Sequence, residues 1–473
     1  MRKIAGLDVG TTGCKVTVFS DQGENLGREY RDYPVRRAVD AQEVDAAALA
    51  AGVRDCVRAA KERFGAIDAM GVASFGEAFV LTDASGSPLR PILLCTDARG
   101  ADECRAFCDG FGAGRAAEIA GVLPSESYSF PKLMWVKSHE PGIYAAARHV
   151  MLVEDYVIWL LTGRRAIDYS LAARTGAFDV RRLCWSDGIL GAAGLDAGLF
   201  SEPVPTGAVA GTDSDGMLVV AAGHDQVACA AGAGVFEPGT AAEGAGTVEC
   251  ITPVFSKIPS DPQFRQDNYC AVPYFGNYVS YAYSYTGGEL LRWCRDEICH
   301  SSHEELQSAP CDGPTGLLVL PHFAGAATPY MDSGSRGAIV GLSLATGARD
   351  IYLACMEAVA YEMRVNRDRL AAAGVVFDHL VATGGGARSR LWTQMKADVL
   401  GIPFETLETD DAGTVGGAMM AGAAAGVFTS LADAREKMVR RTGVFEPDPR
   451  RHARYTEVYG RYERLYSSVR PLV

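Results

Sequence analysis

The sequence lacks an excess of positive charge. Its 473 residues carry 45 Lys and Arg against 58 Asp and Glu, a formal net charge of −13, and no stretch forms a basic stripe. Because the phosphate backbone of a nucleic acid is itself negative, such a chain would repel it. We therefore expect no nucleic-acid partner.

Cysteine is present but lacks the spacing of a metal or redox motif. The 13 cysteines are an odd number spread over a long chain without a C-x-x-C, and the closest pairs are Cys104 with Cys108 and Cys294 with Cys299. The polar stretch 299–305 predicts a solvated loop and not a zinc site. Buried thiols in a reduced cytoplasm are the expected state.

A strongly apolar span is also missing. Residues 412–432 carry no charge and are long enough to cross a bilayer, but most of them are Ala and Gly, which drive insertion only weakly. Near the N-terminus, Asp8 interrupts the apolar run after four residues, so we expect no signal peptide. We predict a tightly packed helix within 412–432 and no membrane association.

Glycine, in contrast, is abundant, at 53 of 473 residues or about 11%, against a usual share of about 7%. Short glycine runs are typical of tight turns and of places where backbone approaches a ligand. Strand and helix patterns alternate, and the early pattern repeats after residue 243, so we predict an α/β fold with domains 1–243 and 244–473. The predicted elements include strands 3–10, 67–73 and 380–383 and helices 44–64, 226–234, 351–373 and 390–400.

The first glycine-rich turn follows Asp8 in the segment DVGTTGCK, residues 8–15. Backbone N–H groups and the hydroxyls of Thr11 and Thr12 could converge there on a phosphate. Asp8 could serve Mg²⁺, which prefers hard oxygen ligands and keeps several waters. An ordinary hairpin explains the same residues, and the Walker A pattern of P-loop proteins is absent.

A second turn, GGGARS at residues 384–389, leads from a predicted strand into a predicted helix with Ser389 as its N-cap. Such a turn suits the close approach of a nucleotide to a helix N-terminus. Three glycines also suit a structural crossover, and the dinucleotide pattern G-x-G-x-x-G does not occur here.

The segment GHDQ, residues 223–226, is a polar island between two apolar runs. Polar groups in apolar surroundings carry a free-energy cost unless they are hydrogen-bonded or used. Asp225 could cap the helix that follows it. It could also accept a hydroxyl proton as oxygen attacks phosphorus, as a carboxylate does in kinases.

Together these motifs resemble the FGGY family of carbohydrate kinases, which shares the actin, Hsp70 and hexokinase-like ATPase fold. The resemblance covers nearly the whole chain through the segments DVGTTGCK, CTDARG, PKLMWVKSHEP, DYSLAARTGAFD, GHDQ, GTVEC, LPHFAGAATPYMDSGSRG and TGGGARS. It implies two ribonuclease-H-like domains with an active-site cleft between them that closes by a hinge. It also implies phosphorylation of a hydroxyl on a ketose or polyol by ATP with Mg²⁺, and a homodimer would be unsurprising.

The resemblance assigns roles to positions that match the family motifs. Asp225 matches the catalytic base and Asp8 the metal-linked acid. The matching ATP-binding positions are Thr11, Thr12 and Lys15 in the first phosphate loop, Gly246 and Thr247 in the second, and Gly385, Gly386 and Ser389 in the adenosine turn. Asp411 stands where the family usually has Glu, which leaves its role open.

The acceptor side departs from better-known relatives. Gly76-Glu77 stands where glycerol kinases carry Arg-Glu and xylulokinases Met-His, and Cys95 replaces a usual Trp. We predict substrate contacts and leave the sugar open; the predicted contacts are Glu77, Gln226, Tyr128 and Asp168. The alternative function is a non-catalytic or structural module of the actin and Hsp70 kind.

Overall fold

The computed structural model of the chain describes residues 1–38, 41–409 and 411–473. These residues form two compact α/β units, each assembled from three stretches of the chain. Unit 1 comprises Met1–Gly234, Ala271–Tyr278 and Asp411–Val439, and unit 2 comprises Val235–Cys270, Val279–Asp410 and Arg440–Val473.

The strands are numbered in chain order: β1 Lys3–Val9, β2 Gly13–Ser20, β3 Asn25–Asp32, β4 Val35–Ala38, β5 Ala41–Val44, β6 Ala69–Ser74, β7 Phe79–Thr82, β8 Ile92–Leu93, β9 His149–Leu152, β10 Ala166–Asp168, β11 Phe178–Asp179, β12 Cys184–Trp185, β13 Glu202–Val204, β14 Val209–Thr212, β15 Leu218–His224, β16 Thr240–Ala245, β17 Glu249–Phe255, β18 Val272–Tyr274, β19 Asn277–Val279, β20 Ala282–Ser284, β21 Leu318–Leu320, β22 Ala338–Val340, β23 His379–Thr383, β24 Phe404–Leu407 and β25 Arg441–Phe445.

The α-helices are α1 Ala46–Phe64, α2 Ala101–Phe111, α3 Ala113–Ala120, α4 Ser129–His139, α5 Pro141–Ala146, α6 Val153–Thr162, α7 Tyr169–Ala173, α8 Asp187–Ala193, α9 Asp225–Gly232, α10 Pro262–Gln266, α11 Gly288–Trp293, α12 His303–Gln307, α13 Ala348–Ala372, α14 Arg390–Leu400, α15 Ala412–Ala424, α16 Leu431–Met438, α17 Pro449–Tyr462 and α18 Leu465–Val469. Shorter turns of helix are the 3₁₀ segments Ala197–Leu199, Gly385–Arg388 and Arg470–Leu472 and the π-helical Cys294–Cys299.

The main sheet of unit 1 has the strand order β14-β15-β6-β1-β2-β3. Strand β1 pairs antiparallel with β2 and parallel with β6, which in turn pairs parallel with β15. Helices α1, α6 and α15 pack against this sheet. They cover its apolar side chains, so residues such as Leu7, Val16 and Val72 are almost fully buried. The three parallel strands therefore end at the same edge of the sheet.

The main sheet of unit 2 repeats this arrangement. Strand β16 pairs antiparallel with β17 and parallel with β23, which pairs parallel with β24. Helix α14 follows β23 as predicted, because Ser389 accepts a hydrogen bond from the Trp392 amide at its start and Gly401 takes a left-handed φ of 70° at its end. The prediction of two α/β halves with similar sheets is confirmed.

The predicted boundary at residue 243 places residues 411–439 in the C-terminal domain, but in the structure they belong to unit 1. The packing of helix α15 explains the difference. The predicted close packing is confirmed: a Cβ on Gly71 would lie 2.1 Å from the Gly417 carbonyl oxygen, and one on Gly6 1.9 Å from that of Thr414. Only glycine lets the helix backbone approach β1 and β6 this closely. Among the described residues, no helix has both the length and the apolar character needed to cross a membrane.

Candidate active site

Three charged side chains form a cluster at the predicted first phosphate loop of unit 1. Asp8 and Lys15 face each other across the β1–β2 pair, and the Lys15 ammonium lies 3.2 Å from Asp8 and 2.8 Å from Asp411. Burial alone would lower the pKa of Lys15, but the two carboxylates outweigh it and raise that pKa. The structure thus gives Asp411, whose role the sequence left open, a definite partner.

The turn beside this cluster is compact. The Gly10 amide donates to the Gly13 carbonyl at 2.9 Å, and the Tyr33 hydroxyl donates to the Gly10 carbonyl. Thr11 is half-buried and Thr12 is exposed, so both residues lie at the surface. These are the predicted phosphate-loop residues, and the structure brings them together with Asp8 and Lys15 on one hairpin.

The donor set of the cluster fits Mg²⁺ only in part-hydrated form. Burial raises the pKa of Asp8, while Lys15 opposes the rise. Within the described ranges, no three His, Cys, Asp or Glu side chains group closely enough to enclose a metal. Mg²⁺ commonly uses one or two carboxylates and completes its shell with water and phosphate oxygens, which Asp8 and Asp411 match.

Asp225 stands at the same sheet edge as this hairpin. The register pairs Val9 with Ser74 and Ser74 with His224, so β1, β6 and β15 end side by side. Asp225 is the first residue of α9, and the N-cap is His224, whose Nδ1 accepts from the Gln226 amide at 3.3 Å. Capping of the helix therefore does not account for Asp225.

The carboxyl group of Asp225 has an unusual environment. Its side chain is 35% exposed, and in the described part of the chain nothing donates a hydrogen bond to its Oδ1. Burial, together with the negative charges of Asp8 and Glu77, raises the pKa of Asp225 to about 7. Burial also lowers the pKa of His224 well below its ordinary value, so the neighbouring imidazole is neutral at physiological pH.

A buried polar network supports the backbone just before Asp225. Glu154 accepts from the Gly223 amide at 2.7 Å and from the Asp168 amide at 3.0 Å. The Ser170 hydroxyl accepts from the His224 amide at 2.9 Å and donates to Asp168 at 3.0 Å. These contacts fix the turn from β15 into α9.

Asp168, predicted as a substrate contact, belongs to this network. It is 0% exposed and accepts hydrogen bonds from the Ser170 and Leu171 amides and from the Ser170 and Thr206 hydroxyls. Asp168 thus has no surface open to a ligand, and through Ser170 it holds the backbone just before Asp225.

The predicted acceptor residues Glu77 and Tyr128 meet through a residue that sequence reasoning missed, Arg174. Its Nε donates to Glu77 Oε1 at 2.5 Å, and its guanidinium lies 5.0 Å from the centre of the Tyr128 ring. Arg174 lies within the segment DYSLAARTGAFD. A lone cation among small residues was the available signal, but its partner is 97 positions away.

Cys95 lies near Glu77 and Arg174. Burial raises the pKa of its thiol to about 11, which keeps it neutral. The fully buried Lys132 donates to the carbonyls of Cys95 and Glu126 and so joins two loops, and burial lowers the pKa of Lys132 to about 8. Gln226, the remaining predicted contact, is half-buried next to Asp225.

Unit 2 contains a cavity of about 680 Å³ that gathers the other predicted ATP-binding positions. The residues predicted from the second phosphate loop and the adenosine turn all line it: Gly246, Thr247, Gly385, Gly386 and Ser389. A Cβ on Gly386 would lie 2.9 Å from both Ala245 and Trp392. The missing side chain therefore allows the turn to pack against β16.

A chain of hydrogen bonds crosses one wall of this cavity. The Ser389 hydroxyl donates to Gln307 Oε1 at 2.5 Å, the Gln307 amide donates to the Tyr352 hydroxyl at 2.9 Å, and that hydroxyl lies 2.7 Å from His303 Nδ1. His303 and Gln307 belong to α12, so the prediction of a solvated loop through 299–305 was wrong at its end. Sequence spacing carried no sign of this wall.

The fold defines the class of protein. A solved xylulose kinase from Rhodospirillum rubrum matches the structure with a TM-score of 0.90 and 25% sequence identity, over 100% of this chain and 99% of that one. Two α/β units built on related sheets, with glycine-rich turns at the strand ends, belong to the actin-like ATPase fold.

Sequence comparison gives the family. Profiles for the N-terminal and C-terminal domains of the FGGY family of carbohydrate kinases match residues 3–234 and 255–425. A glycerol kinase from Symbiobacterium thermophilum is 29% identical over 92% of both chains, and a xylulose kinase from Escherichia coli K12 is 29% identical over 99% of both. The chain belongs to the FGGY family of carbohydrate kinases and is a phosphotransferase with an alcohol group as acceptor.

Proposed function

We propose that the protein transfers the terminal phosphoryl group of ATP to a hydroxyl of a ketose or polyol, with Asp225 as the general base. The observation that carries this proposal is the environment of Asp225. Its pKa of about 7 makes it a base that is half ionised near neutral pH, when proton transfer is most efficient. Its Oδ1 accepts no hydrogen bond from the described residues, so it has an acceptor lone pair left for a hydroxyl proton.

Unit 1 supplies the phosphate side of the reaction in this proposal. Lys15 and the turn holding Thr11 and Thr12 would bind the terminal phosphates, and Asp8 with Asp411 would hold Mg²⁺ through water. Bound Mg²⁺ would supply charge neutralisation for those phosphates. The Asp225 carboxylate then takes the proton of the attacking hydroxyl as the oxygen–phosphorus bond forms and ADP leaves.

Unit 2 supplies the adenosine side. A cavity of about 680 Å³ is of the size that holds a drug-sized ligand. Gly385 and Gly386 would allow a nucleotide to approach the backbone. Two hydrogen bonds hold the Gln307 side chain in a fixed orientation, in which it would contact the nucleotide. We place the reaction in the cytoplasm, in keeping with 13 cysteines that form no disulfide among the described residues; a homodimer remains a prediction.

The proposal is tested by coupled ADP release over pentuloses, hexuloses, tetritols, pentitols and glycerol. We expect ADP only when an acceptor is added. Asp225→Asn should lower the rate by about 10²–10⁴-fold, the usual share of a general base, and leave ATP affinity unchanged. The matched control is Asp155→Asn, since Asp155 is another Asp whose pKa burial raises, to about 8, but which accepts a hydrogen bond from the Ser201 hydroxyl.

Two results would contradict the proposal. ADP release that needs no acceptor would favour an actin- or Hsp70-like ATPase, and full activity in Asp225→Asn would remove Asp225 as the base. Circular dichroism of each variant separates a lost base from a lost fold.

A further inference from the structure

Glu77 is fixed at both of its ends. Its carbonyl accepts from the Ser129 hydroxyl at 2.7 Å, and its carboxylate is held by the Arg174 Nε and Nη2. Its backbone has a φ of 63°, which non-glycine residues rarely adopt. A side chain held this firmly presents one defined surface to a ligand.

Arg174 is held equally firmly. Its side chain is only 14% exposed, and its guanidinium lies over the Tyr128 ring at 5.0 Å, a favourable position for a cation. At the predicted acceptor site of unit 1, Arg174 is therefore already paired with Glu77, and the pair carries no net charge.

Gly76 makes this arrangement possible. A Cβ at Gly76 would lie 2.6 Å from His224 Cδ2 and 3.5 Å from Arg174 Cγ. Because residue 76 has no side chain, the His224 ring and the Arg174 stem occupy the space beside Asp225. The neutral imidazole adds no charge, and the nearby acids Asp8 and Glu77 raise the pKa of Asp225 while Arg174 opposes the rise.

We propose that Glu77 and Arg174 act together as the specificity device of the acceptor site: Glu77 occupies the Arg174 guanidinium and so restricts the site to uncharged polyhydroxy acceptors. The device rests on the proposed function. A sugar acid would place its carboxylate near Asp8 and Asp225, where the described cations Lys15 and Arg174 are both already paired with carboxylates and do not offset the repulsion. A ketose or polyol carries no such penalty and can hydrogen-bond to both members of the pair.

Glu77→Gln tests the device because it removes the charge that occupies Arg174 and keeps the shape of the side chain. The values of kcat/KM are measured for glycerol, erythritol, xylitol and D-xylulose and for the acids D-glycerate, D-erythronate, D-xylonate and D-gluconate. We expect the ratio of the best neutral to the best acidic acceptor to fall about 100-fold, with a gain in absolute activity on the acid. The KM for ATP should stay unchanged.

Arg174 variants give the second measurement. Arg174→Met should weaken neutral acceptors through KM and gain nothing on acids, because the unpaired Glu77 repels them. Arg174→Lys keeps the charge and should restore most of the neutral activity. The matched control is Glu405→Gln in unit 2, which breaks a similar pair with Arg441 at 2.8 Å and should leave the acceptor ratio unchanged.

The outcomes separate the two proposals. If the folded Glu77→Gln variant shows no gain on acids, or if Arg174→Met shows one, the specificity device is wrong while the kinase reaction stands. If the wild type phosphorylates no acceptor at all, the proposed function itself fails. Should Glu77→Gln unfold, the two Arg174 variants decide. A gain on acids in Arg174→Met would overturn the device, and no gain there, with neutral activity restored in Arg174→Lys, would support it.

Discussion

Each unit of this kinase holds a lysine between two carboxylates, and the two clusters differ mainly in burial. In unit 1 the side chains of Lys15, Asp8 and Asp411 are 29%, 19% and 15% exposed. In unit 2 those of Lys396, Glu243 and Glu249 are 2%, 2% and 0% exposed. The same charge pattern therefore occurs once at a surface turn and once in a core.

Burial decides what each cluster can do. Lys396 lies 2.9 Å from Glu243 and contacts Glu249 directly, and burial raises the pKa of Glu249 well above its ordinary value while Lys396 opposes this. When charges are buried this fully, removing one partner leaves an uncompensated charge and destabilises the fold. In the proposed reaction Lys15, still partly in water, exchanges a carboxylate for a phosphate, so we propose a functional role for the unit 1 cluster and a structural role for the unit 2 cluster.

The largest effect should come from Lys396→Met. Removing the ammonium leaves two carboxylates buried without their partner, a change that destabilises by about 3–5 kcal/mol. Denaturant unfolding measures the loss, and Glu405→Gln at a more exposed pair of the same unit serves as control. A stability within about 1 kcal/mol of the wild type would show that the buried cluster is not structural.

The corresponding change in unit 1, Lys15→Met, should act on activity instead. If Lys15 stabilises the transferring phosphate as proposed, its loss lowers kcat by about 10²–10³-fold, whereas a partly exposed ion pair contributes only about 1 kcal/mol to stability. Steady-state kinetics and unfolding are measured on the same preparation. A variant that unfolds but, where folded, turns over normally would reverse the contrast between the clusters.

The pH dependence of kcat/KM sharpens the role of unit 1 further. In the proposed reaction Asp225 acts when deprotonated, and its pKa is raised to about 7 by burial and by Asp8 and Glu77. Activity should therefore rise with pH and reach half its plateau near pH 7. An acid limb near pH 4, the range of an ordinary Asp, would mean that Asp225 is not the titrating base.

The smallest effect should come from Asp411→Glu, which restores the residue that the resemblance leads one to expect. The longer carboxylate can still reach Lys15, which now lies 2.8 Å from Asp411, so we expect kcat within about threefold of the wild type, a change of under 1 kcal/mol. Asp411→Asn provides the contrast and should lower kcat more. Equal kcat for the two variants would show that the charge at 411 has no role.

Several features were predictable from sequence because they depend on neighbours in the chain. Ser389 caps α14 and Gly401 ends it, since capping is local chemistry. The close packing of α15 followed from its Ala and Gly content. The ATP-binding positions in unit 2 line one cavity, although nucleotide binding there stays a prediction.

Other features were not predictable, because their partners are distant in sequence. Arg174 gains its place from Glu77, and Lys132 from the Cys95 and Glu126 carbonyls. Asp168 looked like a polar residue available to substrate, but the fold surrounds it with donors. The sequence cannot tell a buried acid that supports a turn from one that faces a ligand.

The sequence by itself determined the α/β class, the glycine-rich turns, the family and the position of Asp225 as the candidate base. These depend on local periodicity, on backbone conformation and on short motifs. Tertiary structure alone decided which of the two Lys–carboxylate clusters is open to water and which side chain joins Glu77 to Tyr128. It also joined residues 411–439 to unit 1. Burial and long-range pairing are properties of packed surfaces, and no stretch of sequence carries them on its own.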